Sequence, residues 1–135
     1  MKEIRVPVSP GELIDKLTIL RLKEERIEDE AKLANIRRER AALQAVAEEG
    51  LPDHPDLPAL EDELYGINAR LWQVEDDIRA FDAQGYFGPD YIALARAVYQ
   101  TNDRRAEVKR QINLALGSDL LEEKSYAGEA GPGAA

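Results

Sequence analysis

A chain of 135 residues, 33% charged and 6% aromatic, has room for one helical domain with a modest core and not comfortably for two. It has no cysteine, which excludes disulfides, thiolate metal sites and cysteine nucleophiles; the cytoplasm is the expected compartment. A net charge of −9 argues against nucleic acid as a partner, because phosphate binding needs a basic surface.

No membrane partner is expected either. No apolar run approaches the roughly 20 residues of a membrane span, and MKEIRVPVS has neither the apolar core nor the cleavage site of a secretory signal. Within EIRVPV (residues 3–8), Ile4, Val6 and Val8 alternate with polar Glu3 and Arg5, the rhythm of an extended segment, and Pro7 removes a backbone donor. The chain holds no second convincing strand. A short extended N-terminal arm is therefore expected, paired with irregular backbone, a partner subunit or water.

Ser9-Pro10-Gly11-Glu12 marks a helix start, with Ser9 as N-cap, Pro10 at the first helical position and Glu12 completing a capping box. Leu13, Leu17, Leu20 and Ile27 follow as an apolar stripe interrupted by Glu24, and Leu33, Ile36 and Leu43 form a second stripe, rotated from the first. This predicts a helix over about 10–49, either long and curved or with a local change of partner. Gly50 and the three prolines of GLPDHPDLP end it. Leu57, Leu60, Leu64, Ile67, Leu71, Val74, Ile78 and Phe81 then repeat at 3-4 spacing without a polar substitution, the seam of a coiled coil. They predict a second helix over about 58–83, folded against the first as an antiparallel hairpin. AQGYFGPD (83–90) breaks the chain again. A third helix is predicted over about 90–116, stopping at Gly117, and the Gly/Ala-rich residues 127–135 read as a disordered tail. The fold class is all-α: a coiled-coil hairpin with a third packed helix, forming one domain over residues 1–126.

The third helix is unusual in its middle. Its packing stripes are apolar at both ends, yet Tyr99, Asn102, Arg105 and Lys109 cluster within about three turns on or beside the packing face. Residues 91–117 carry five basic and two acidic side chains, and residues 58–84 two basic and seven acidic, so a +3 helix lies in an acidic chain. Burying Arg105 without a carboxylate would cost several kcal/mol. Glu24 is the first choice of partner, with Glu25 or Asp15 next. The cluster reads either as a polar layer that fixes register or as a small-anion site, with Arg105 and Lys109 supplying charge and Tyr99, Asn102 and Asn113 oriented hydrogen bonds.

Several chemistries lose their residues. The only histidine, His54, sits in the proline-rich loop, which removes di-iron bundles and hydrolytic triads. Gly11 and Gly66 are isolated, so there is no phosphate loop. Glu25 and Glu28 have E-x-x-E spacing without the matching second motif of an all-helical Mg²⁺ pyrophosphohydrolase. An all-helical chorismate mutase shares an Ile14-Asp15 pair and Arg26, but the arginine that should precede the pair is absent. No catalytic residue, metal or cofactor is assigned.

Two blocks, VPVSPGELIDKLTIL (6–20) and YIALARAVYQTNDRRAEVKRQIN (91–113) continuing to EEKSY (122–126), resemble the signatures of an uncharacterised family of short bacterial and phage helical proteins. The resemblance implies a small all-helical protein without an assigned activity. It also draws attention to the polar residues of both blocks, which could line one locality if the N-terminal halves of the first and third helices adjoin. Asp15, Lys16, Glu24, Tyr99, Asn102, Arg105, Lys109 and Asn113 are the candidate site residues. The expected role is that of a non-enzymatic interaction or scaffold protein, a homodimer that covers the apolar surface left by a three-helix layer. The alternative is an enzyme or binding protein for a small anionic metabolite: a phosphate, a nucleotide sugar or a dicarboxylate.

Overall fold

The computed structural model describes residues 1–128 as four helices: α1 (Pro10–Arg26), α2 (Glu30–Gly50), α3 (Leu57–Ala83) and α4 (Pro89–Ala115). Among the described residues there is no strand. The expected tail at 127–135 falls mostly outside them; residues 127 and 128 form a turn.

The predicted helix over 10–49 is two helices. Ile27 leaves helical geometry at φ −86° and ψ 132°, and Asp29 caps α2 by accepting a 3.0 Å hydrogen bond from the Lys32 amide. The rotated stripe marks this reversal: Leu33 and Ile36 of α2 fold back on Leu20 of α1, with Ile27 and Leu43 at the edge. Leu51, just past α2, packs against the core that holds Ile14 near the start of α1, while Leu33 near the start of α2 meets Leu20 farther along α1, so α1 and α2 are antiparallel.

The seam of α3 is turned inward, with Leu64 and Val74 fully buried. Its principal partner is α4, with α1 second, and α2 packs on α1 alone among the described helices. The hairpin expected between the first predicted helix and α3 is thus replaced by two hairpins, α1–α2 and α3–α4. Gly85, at φ 70°, permits the second reversal, and the Phe81 and Tyr86 rings meet across it at 5.0 Å. One core gathers Ile14, Leu64, Val108 and Ile112, with Leu57, Leu60, Ile67 and Leu116 around it.

Contacts along α1 and α4 run in opposite order: Gly11 meets Asn113, Glu12 meets Lys109, and Asp15 meets Arg105. The two helices are therefore antiparallel. The start of α1 faces the end of α4, not its N-terminal half as the sequence suggested. Past Gly117 (φ 67°), Ser118 N–H bonds to the Asn113 carbonyl at 2.8 Å, and the chain turns back along α4.

Candidate functional site

The polar residues of α1 and α4 meet in one layer built on the start of α1. Ser9 Oγ accepts from the Glu12 amide at 3.2 Å, so the helix begins where the capping box predicts. The Glu12 carboxylate, however, reaches across to Lys109 Nζ at 2.6 Å. Gly11 is buried against α4, and its N–H donates to Asn113 Oδ1 at 2.7 Å. A methyl group there would collide with the Lys109 carbonyl oxygen and lie 2.9 Å from Asn113 Oδ1, so this close approach requires glycine.

One turn further, Asp15 is 1% exposed. Its carboxylate takes both the Nε (2.9 Å) and Nη2 donors of Arg105, and Oδ1 also accepts from Asn68 Nδ2 at 2.9 Å. The Asn68 amide donates as well to Thr18 Oγ1 at 2.9 Å, while that hydroxyl donates to the Asp15 carbonyl at 2.8 Å. Lys109 Nζ lies 3.9 Å from Asp15 and 3.5 Å from Glu122 on the returning chain. Among the described residues no buried side-chain polar atom lacks a partner. A fork-to-fork pair of this kind directs charge-assisted bonds at fixed geometry.

The electrostatics follow from those contacts. The bond from Lys109 holds the Glu12 carboxyl below its usual range, against the opposing effect of burial. The bond to Asp15 raises Arg105 above the ordinary guanidinium value. At the centre, two cations (Arg105 and Lys109) face two carboxylates (Glu12 and Asp15), and the layer carries no surplus positive charge.

Of the candidate residues, Asp15, Arg105, Lys109 and Asn113 come together, and Lys16 sits at the rim, 3.6 Å from Glu12. Glu24 does not join them. It faces α2, where Arg40 at 2.7 Å and Arg37 at 3.7 Å hold it, and the Arg40 bond lowers its pKa. The antiparallel α4 puts Arg105 opposite the first half of α1, so Asp15 takes the place expected of Glu24. Tyr99 is exposed and lines, with Asn102, Val98 and Tyr126, a separate cavity of about 630 Å³. Asn102 lines a groove of about 340 Å³ where α1, α3 and α4 converge beside Arg105. The sequence reading missed Thr18 and Asn68. Asn68 had a signal, a polar side chain four residues after Leu64 and flanking an otherwise apolar seam.

Among the described residues no group of three or more His, Asp or Glu side chains is arranged to hold a metal ion, and no helix is long and apolar enough to cross a membrane. Neither the curated proteins nor the solved structures contain a match to the chain. The pattern of one family, described only as a family of unknown function (DUF6165), matches residues 4–133, nearly the whole sequence, and the chain belongs to that family.

Proposed function

We propose that the protein is a non-enzymatic interaction or scaffold protein that acts as a homodimer, with the Asp15–Arg105 layer as the lock joining α1 to α3 and α4. The observation that carries this reading is the pairing of Arg105 with a carboxylate that is 1% exposed. Both donors of one guanidinium edge are used internally, and Lys109 is shared among Glu12, Asp15 and Glu122. An anion entering here would have to displace carboxylates already in place. Buried pairs of this kind serve best as register devices. The compartment assigned within this reading is the cytoplasm, and coiled-coil packing of the α3 seam belongs to the same proposal.

The second reading, a binding protein or enzyme for a small anionic metabolite, draws on one observation: Arg105 keeps 28% of its side chain exposed and borders the groove together with Asn102. A thermal-shift series with phosphate, nucleotide sugars and dicarboxylates separates the two, since a bound ligand raises stability by RT ln(1 + [L]/Kd). The lock reading expects no saturable rise, and it expects Arg105→Ala with Lys109→Ala to lose folding or assembly. A saturable rise, abolished in a double variant that still folds and assembles, would establish the anion reading instead.

A further inference from the structure

Residues 1–8 stand away from the helices. Ile4 is 77% exposed, Val6 67% and Val8 40%, and among the described residues no backbone hydrogen bond ties this segment to the rest. In an extended chain, alternate side chains share a face. Lys2, Ile4, Val6 and Val8 thus form one face, apolar with a cation at its far end. Glu3 and Arg5 lie on the other and satisfy each other at 2.9 Å.

The groove between α1, α3 and α4 has the matching order. Ile19, Leu22, Leu71 and Trp72 supply apolar surface, and Glu75 and Asp76 follow one turn further along α3. Among the described residues that line it the cation is Arg105, neutralised by Asp15 at the opposite end, while Arg79 beside the groove lies 3.6 Å from Glu75 and Arg26 stands over the Trp72 ring. The groove therefore offers apolar surface leading to two carboxylates, to an arm that offers three aliphatic side chains leading to a lysine.

Reach decides whose arm fits. Along α1, Ile19 lies about 14 Å beyond Pro10, at about 1.5 Å per residue. An extended chain covers at most about 3.5 Å per residue. Folded back on its own molecule from Ser9, the arm would leave Val8 and Val6 short of the groove, and only Ile4 and Lys2 would arrive. A second molecule has no such tether.

We propose that residues 1–8 are an exchanged arm: in a two-fold homodimer, each copy lays Lys2, Ile4, Val6 and Val8 into the α1–α3–α4 groove of the other, with Lys2 at Glu75 and Asp76. The arrangement is isologous and closed, so it stops at two chains. It rests on the interaction-protein reading above and specifies that reading's interface.

Sedimentation velocity on the full chain tests it. The wild type is expected to be dimeric, and deletion of residues 2–8 to give a monomer with unchanged helical circular dichroism. Lys2→Glu or Asp76→Lys alone is expected to raise the dimer Kd at least tenfold, and the two together to restore it. Because the chain has no cysteine, Lys2→Cys mixed with Asp76→Cys should oxidise to a linked heterodimer. A wild type that stays monomeric, or a link that forms only within a doubly substituted chain, overturns the exchange. A dimer that survives loss of the arm overturns it too, while leaving the interaction reading intact. A monomeric wild type also removes the homodimer from that reading, whereas the saturable ligand response described above replaces the reading itself.

Discussion

Asp15 is the side chain on which the attachment of α1 depends. Truncating Arg105 leaves its buried carboxylate with the Asn68 amide and a lysine 3.9 Å away. Arg105→Ala should therefore cost about 3–5 kcal/mol in urea unfolding. Replacing both partners by leucine should cost less than Arg105→Ala alone, because no orphan charge remains. Glu12 gives the layer its pH dependence. Its folded pKa lies below the ordinary 4.5, so its contribution is complete above that value and is lost as pH falls through the folded pKa. Glu12→Gln should flatten the loss of stability between neutral pH and about pH 3, read as urea midpoints. The Arg105 shift runs upward, so its contribution is lost only in strong alkali, as pH rises through the raised folded value. That Arg105 requires an acid follows from its position in a packing stripe. Which acid does not, because Glu24 and Asp15 are distinguished only by the direction in which α4 crosses α1.

At the scale of elements, the uninterrupted seam of α3 and the cap of α1 are legible because each depends on neighbouring residues alone. The reversal at 27–29 is less so: no glycine or proline marks it, and the rotated stripe fits a curved helix equally well until Leu33 is seen on Leu20. The close approach of α1 and α4 was hidden in a single glycine. Gly11→Ala must push the helices apart and strain the Asn113 bond, at an expected cost of about 1–3 kcal/mol. Gly66 is the control. It lies inside α3 with nothing within 4 Å of an added methyl, and Gly66→Ala should stabilise by about 0.5–1 kcal/mol. Calorimetric melting of the two variants should move in opposite directions.

Across the whole molecule, support is uneven. α1, α3 and α4 brace one another, whereas α2 leans on α1 alone. Local opening starts where buried contacts are fewest. Amide exchange should accordingly release α2 before the centres of α3 and α4, and a uniform rate over all four helices would contradict this account.

The hydrogen bond between Gly11 and Asn113 spans 102 positions of sequence, and the one between Asp15 and Arg105 spans 90. During synthesis, α1 emerges from the ribosome long before its counter-ion is translated. Until then Asp15 must stay hydrated, which prevents α1 from docking early on α3. Nascent chains stalled before residue 105 should remain protease-sensitive through α1, and resistance should appear in one step once α4 clears the exit tunnel.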